Sequence, residues 1–338
     1  AAPIFDHGTI TNVGVDSVTL RRGDGATTAL SRDGQMGMRW LSGYGSVGAI
    51  LVETNESITR TFTPAVGVPA EGDGVIVDGL VYYGDPFTDH AIEYETVSIR
   101  GPLGDYDAWL VGGTRMTWTI YVHGRGTDRT ESLRLLPTTV ESGFPALVIR
   151  YENDPESPGN GTYHYGLNEY RDVEVAIRFA LDGGAQDVVL VGYSMGGSVI
   201  SEFMHRSPFA DRVSGLVLDA PMLDLGRVVD LRAEDRGVPT PLVAVAKTAV
   251  AMRFGVNWSE LDYVTKLARA DVPTLVFHGT EDDMVPIDLS RALDAAAPRF
   301  VQLHEIQGAG HVQSWNVDPT TYQTLVRVFL EALTQDVS

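Results

Sequence analysis

The 338-residue chain contains no cysteine. That excludes disulfides, a thiol nucleophile and thiolate metal sites, but it leaves the compartment open, because exported proteins without disulfides are common. No apolar run approaches the ~20 residues of a bilayer-spanning helix. Basic residues are scarce, with 25 Lys and Arg against 45 Asp and Glu and a formal net charge of −20. Such a surface repels phosphate backbones, so nucleic acid is not an expected partner, and charge alone will not dock the chain on an anionic membrane. No HExxH pattern occurs and the eight histidines are scattered, so no metal is expected. There is no initiator methionine. Ala1-Ala2-Pro3 reads as a processed terminus, and the chain is expected to be soluble as it stands, cytoplasmic or else exported or tethered through an upstream segment. No signal for an oligomeric state is present.

What is there is a globular composition, 43% hydrophobic and 21% charged, in two regimes. Residues 1–92 are rich in Gly, Thr and Val, with short β-like runs at 15–20, 49–53 and 58–62 separated by glycine-aspartate turns. This predicts a small β-rich, barrel-like domain. The stretch 43–48, GYGSVG, spells a dinucleotide fingerprint, but β-like residues follow it instead of a helix. It is read as a glycine-rich β turn, and no cofactor is implied.

Residues 93–338 alternate apolar runs (117–122, 146–150, 187–191, 213–218, 273–278) with helical patterns (129–142, 168–182, 195–206, 287–297, 318–333). The alternation predicts an α/β domain with a mostly parallel central sheet and helices on both faces. It lapses between about 222 and 270, where a short cap insertion is expected. The first half of that insertion is charged. Apolar residues of the second half, Leu242, Val243, Val245, Val250, Met252 and Phe254, are at a spacing that lines a modest acyl pocket or packs onto the domain.

The chemistry begins at 188–201, VVLVGYSMGGSVIS, where an apolar strand runs into G-x-S-x-G and then into a helix. In that context Ser194 is held at the tip of a strained turn, as a nucleophile elbow requires. A serine hydroxyl needs a base, and the base needs an acid to orient it. Downstream, 275–286 (LVFHGTEDDMVP) ends a strand in Asp282 and Asp283, and 307–315 (QGAGHVQSW) places His311 in a glycine-rich loop before the last helix. Upstream, 119–126 (TIYVHGRG) turns sharply after a strand. Its Arg125 N–H, with the N–H of Met195 after the serine, is positioned to receive an oxyanion.

On VHGRG, GYSMGG, HGTEDDMVP and GAGH, taken in that order over roughly residues 95–335, the chain resembles the α/β-hydrolase superfamily. It is most similar to bacterial serine hydrolases of the acylaminoacyl-peptidase-like group, with an extra N-terminal region. The resemblance implies the α/β-hydrolase fold, acyl-bond hydrolysis and no cofactor. Its HGxxDxxVP spacing favours Asp282 over Asp283 as the acid, with Asp219 at the end of a neighbouring strand as a third candidate. His123 and His278 are read as packed, backbone-bonded histidines. Tyr193 either lines the acyl pocket or packs, and it is carried with Gly124 as a pocket candidate.

The expected activity is hydrolysis of small-molecule carboxylic esters of short to medium acyl chain through Ser194, His311 and Asp282. A peptidase or amidase with the same triad is the alternative. A non-catalytic binding module is a third reading, disfavoured by the complete residue set.

Overall fold

The computed structural model describes residues 5–25, 28–152, 154, 157–159, 161–254 and 256–335, and the side chains of Phe254 and Gln335 fall outside that set. The residues read as a processed terminus also lie outside it.

Six strands open the chain: β1 (Gly8–Val13), β2 (Ser17–Arg22), β3 (Met36–Trp40), β4 (Gly43–Glu53), β5 (Ser57–Val66) and β6 (Gly74–Asp78). They close into a barrel in the order β1-β2-β5-β4-β3-β6. Alternation along each strand decides what faces inward. Val18 and Leu20 of β2, Ile58 and Phe62 of β5, and Val75 and Val77 of β6 fill the interior. The same parity turns Arg60 inward, fully buried. Its guanidinium donates to the carbonyls of Gly48 (2.8 Å), Leu30 (2.9 Å) and Gly34 (2.8 Å), so the charge is hydrogen-bonded within the barrel.

GYGSVG is not a turn. It opens β4, pairing with β3 on one side and β5 on the other. Its glycines answer to close approach: a Cβ on Gly43 would stand 2.1 Å from the Val66 carbonyl oxygen.

After helix α1 (Pro86–His90) comes an eight-stranded sheet of β7 (Glu95–Arg100), β8 (Asp105–Val111), β9 (Thr117–Val122), β10 (Ala146–Val148), β11 (Asp187–Tyr193), β12 (Val213–Asp219), β13 (Thr274–Gly279) and β14 (Val301–Ile306). The order is β14-β13-β12-β11-β9-β10-β8-β7. The strands from β9 onward pair in parallel, while β8 runs antiparallel to β7 and β10. Both faces are covered, which explains why the strands read as continuous apolar runs. Val188 and Leu190 of β11 enter one core with α3 (Tyr170–Asp182), α4 (Met195–Arg206) and α8 (Asp288–Ala296). Val189, Val191 and Tyr193 enter the other, with α2 (Leu136–Glu141), α9 (Ser314–Val317) and α10 (Pro319–Gln335).

The helix expected at 129–142 is broken. A 3₁₀ turn, Arg129–Arg134, is capped by Asp128 Oδ1 accepting from Thr130 N, and α2 restarts after Leu135. Pro137 explains the restart, because a residue without an N–H fits the first turn of a helix better than its interior.

The insertion folds as α5 (Leu225–Asp235), α6 (Thr240–Phe254), a 3₁₀ turn (Trp258–Leu261) and α7 (Tyr263–Leu267). On α6, Val243 is buried while Leu242, Val245 and Met252 are exposed.

Barrel and sheet meet at Arg134 and Asn316. Arg134 Nη1 donates to Gly79 O (3.3 Å), Val312 O (2.6 Å) and Asn316 Oδ1 (3.0 Å). Asn316 Nδ2 in turn donates to Gln35 O (2.6 Å) and Gly79 O (3.0 Å).

Candidate active site

The site forms at the carboxyl ends of β9, β11, β12 and β13, where open parallel sheets hold their ligands. At the end of β11, Ser194 has φ 48° and ψ −115°, a left-handed backbone in a residue other than glycine. Such strain persists only where the surroundings enforce it. Here Ser194 N donates to Asp219 O (3.0 Å) and Ser194 O accepts from Met222 N (3.0 Å). Helix α4 can start so close to β9 because residue 196 is glycine, since a Cβ there would stand 2.1 Å from the Val122 carbonyl oxygen.

Three side chains far apart in sequence meet at this turn. Ser194 Oγ is 2.8 Å from His311 Nε2, and His311 Nδ1 is 2.8 Å from Asp282 Oδ2. With Nδ1 donating to Asp282, Nε2 is left to accept the hydrogen bond from Ser194 Oγ. Burial alone would lower the His311 pKa, but the hydrogen bond and charge of Asp282 outweigh it, and the net direction is upward.

Burial likewise pushes the Asp282 carboxyl up, and hydrogen bonds from His278, His311 and the Val285 amide hold it well below the usual carboxylate range. Asp282 Oδ1 accepts from Met284 N and Val285 N, each at 2.8 Å. Asp283 is exposed. Asp219 is buried and does not reach His311: its Oδ1 accepts from Ser314 Oγ (2.8 Å) and its Oδ2 has no partner. Burial pushes its carboxyl up to about 6.

The loop after β9 closes the other side. A Cβ on Gly124 would lie 3.1 Å from Ser194 Cβ. The Gly124 amide is taken, donating to Glu131 Oε2 (2.7 Å), which also accepts from Thr127 Oγ1 (3.0 Å). Among the described residues, the Arg125 and Met195 amides have no hydrogen-bond partner. Two backbone donors therefore stay open beside Ser194 while a third is used to set the loop. His123 lies beneath it, stacked on Tyr151 at 4.5 Å and bonded to Asp154 Oδ2 (2.8 Å) and Gly124 O (2.9 Å). His278 bonds Ser290 Oγ (2.8 Å) and Val285 O (2.9 Å).

A cleft of about 500 Å³ opens over Ser194 and His311. Gly124 lines it and Tyr193 does not. The parity of β11 sends Tyr193 into the core on the opposite face, under the Arg134 guanidinium at 5.7 Å. Of the two expectations for the insertion's apolar residues, lining the cleft is not what the described side chains of α6 show. Met222, Leu225 and Val228, at the start of the insertion, face the cleft, and among the described side chains none of the apolar residues of α6 does, Phe254 lying outside them.

Sequence reasoning missed Glu131 and the barrel's share of the wall, Arg39, Asp78 and Leu80. It also found no metal signature, yet the fold gathers Glu152, His164 and Glu169, none of which lines this cleft.

With fold and geometry in view, comparison with known proteins gives a consistent family. The alpha/beta hydrolase family model matches residues 119–322, more than half of the chain. The chain belongs to that family. It is 24% identical over 217 residues to the uncharacterized protein YqkD of Bacillus subtilis, covering 63% of this chain and 70% of that protein. Among solved structures it is similar to the Pyrococcus furiosus esterase Pf2001, with TM-score 0.59 and 19% identity over 74% of this chain and 96% of that one. It is also similar to a thermophilic esterase from Thermogutta terrifontis, with TM-score 0.51 and 21% identity over 71% of this chain and 99% of that one. At these identities the two esterases bear on the fold.

Proposed function

We propose that the chain is a serine carboxylesterase acting on small, water-soluble esters. The observation that carries the reading is the line from Ser194 Oγ through His311 to Asp282, with both hydrogen bonds at 2.8 Å, at the floor of an open cleft. In this reading His311 takes the Ser194 proton as Oγ attacks the ester carbonyl, and Asp282 holds the tautomer and stabilises the imidazolium. The amides of Arg125 and Met195 receive the developing oxyanion. His311 then protonates the leaving alcohol, and water repeats the attack on the acyl-enzyme.

Residues 93–338 serve as the catalytic unit, with 222–270 as its cap. The moderate cleft favours acyl chains of roughly two to eight carbons, each buried CH₂ contributing about 0.8 kcal/mol until the space is filled.

The test is a panel of p-nitrophenyl esters run beside aminoacyl anilides, with fluorophosphonate labelling. Ester turnover with an optimum at short or medium chains, and labelling at Ser194 that Ser194→Ala abolishes, is the expected result. Rapid anilide cleavage with negligible ester turnover would make the protein an amidase of the acylaminoacyl-peptidase-like kind. Labelling elsewhere would end the mechanism.

A further inference from the structure

Outside the cleft, the segment between β10 and α3 collects three side chains of metal-binding type. Glu152 follows β10, Glu169 stands directly before α3, and His164 lies between them. Glu152 and Glu169 are 4% and 0% exposed. One ligand atom from each of the three lies within 4.8 Å of the others.

The distances separate two interpretations. His164 Nδ1 is 3.6 Å from Glu152 Oε1 and 4.0 Å from Glu169 Oε1. That nitrogen is buried and has no hydrogen-bond partner. A hydrogen-bonded ion pair closes to roughly 2.8 Å. Two ligands bound at ~2.0–2.2 Å to one tetrahedral ion stand roughly 3.4 Å apart. The spacing is nearer that of co-ligands than that of a closed pair. Two carboxylates buried within this reach also repel one another, and a cation between them removes that cost.

One ligand, Glu169, is already oriented. Glu169 Oε2 accepts from Gly166 N (2.9 Å) and Oε1 from His164 N (2.5 Å), and each oxygen keeps a second lone pair. The cluster opens onto a shallow pocket with Leu103, Asn168 and Arg171, which supplies an entry path.

We propose that Glu152, His164 and Glu169 bind one divalent transition-metal ion, with Zn²⁺ as the ion of choice. An imidazole donor in so small a set suits zinc, whereas Ca²⁺ and Mg²⁺ require more oxygen ligands. The ion has a structural role, since none of its ligands lines the cleft over Ser194 and His311. It anchors the segment that carries Tyr165, which lines the cleft with φ 55° and whose carbonyl accepts from Tyr263 Oη at 2.8 Å.

The experiment uses the full chain, stripped with a chelator, dialysed and titrated with ZnCl₂ alone by calorimetry and by thermal melting. The expected result is saturable binding of one equivalent. At a hundred-fold excess over Kd, Tm should rise by roughly 3–5 °C. His164→Ala should abolish both signals while keeping its native circular dichroism, and Glu152→Gln should weaken binding at least ten-fold. If either variant fails to fold, the other decides. No one-equivalent binding to the wild-type chain, or unchanged binding in the folded variants, overturns the site. Binding of CaCl₂ or MgCl₂ that depends on His164 overturns the choice of a transition metal.

Discussion

The carboxyl ends of β12 and β13 are neighbouring regions that treat the same residue type in opposite ways. Each ends in a buried aspartate close to His311. Asp282 has the Met284 and Val285 amides on one oxygen and the His311 and His278 rings on the other. Asp219 has a single hydroxyl, from Ser314, and an oxygen with no partner. Burial pushes both upward, and only donors that favour the charged form reverse it. The lesson is that proximity to a histidine does not make an acid its partner. The number and direction of donors on the carboxylate do.

The strongest way to break that comparison is to neutralise each acid in turn. Asp282→Asn should lower kcat by roughly 10³–10⁴-fold, because the tautomer with Nε2 as acceptor is no longer enforced. Asp219→Asn should stay within about ten-fold of wild type, since its oxygens contact Ser314 and not His311. Steady-state kinetics on a short-chain p-nitrophenyl ester would read both, and a reversed order would mean Asp219 is the working acid.

The pH profile sharpens the contrast. As the proposed base, His311 would act only when neutral, so kcat/KM should be lost as pH falls through its pKa. Asp282 raises that pKa above the ordinary 6.5, which puts the midpoint of the acid limb above 6.5. In Asp282→Asn the residual activity should show a midpoint shifted down. In Asp219→Asn it should move down by less, since Asp219 acts on His311 through its charge and not through a hydrogen bond. A profile flat from about pH 5 to about pH 9 would require a different base.

Stability supplies a smaller effect of opposite sign. An acid whose folded-state pKa is raised binds its proton more tightly in the native chain, so stability falls as pH rises from the unfolded value to the folded one. For Asp219 that window runs from 3.8 to about 6. Asp219→Asn should flatten the Tm profile across it and raise Tm by a few degrees at pH 8, on the order of 1–3 kcal/mol. A variant less stable at pH 8 would show that the ionised carboxylate is needed, with Arg134 as its counter-charge. The smallest effect belongs to Asp283→Asn, which should change kcat by less than about two-fold because that side chain faces solvent.

How much of this was legible in the sequence depended on the distance over which each feature is specified. The strand-turn-helix around Ser194 is local, and so are the turns that end in Asp282 and His311. Short motifs in chain order were enough to single out three side chains that stand within hydrogen-bond reach. Glu131 gave no signal, because its task depends on the 3₁₀ turn swinging back to the Gly124 amide. Tyr193 was legible in principle: the parity that buries Val189 and Val191 on one face sends Tyr193 after them. GYGSVG misled because glycine clusters mark turns and close strand approach alike. For the insertion, composition left pocket lining and packing open, and on α6 Val243 is buried. The insertion's apolar half otherwise faces outward on α6 at Leu242, Val245 and Met252, and the cleft takes its apolar lining from Met222, Leu225 and Val228 instead. The barrel's contribution to the cleft, with Arg39 and Leu80, depends on docking and has no local signature.

The junction at Arg134 and Asn316 bears on whether the barrel can be transplanted or trimmed. Gly79 O, beyond the last barrel strand, and Val312 O, one residue past His311, accept from the same guanidinium nitrogen. Removing the barrel would take two acceptors from Asn316 Nδ2 and one from Arg134, at the helix that directly follows the histidine loop. An α/β unit cut free of its first strands would therefore leave these donors to water, close in sequence to His311, the proposed base. Evolutionary shuffling, or an engineer's shortened version, would have to rebuild that seam.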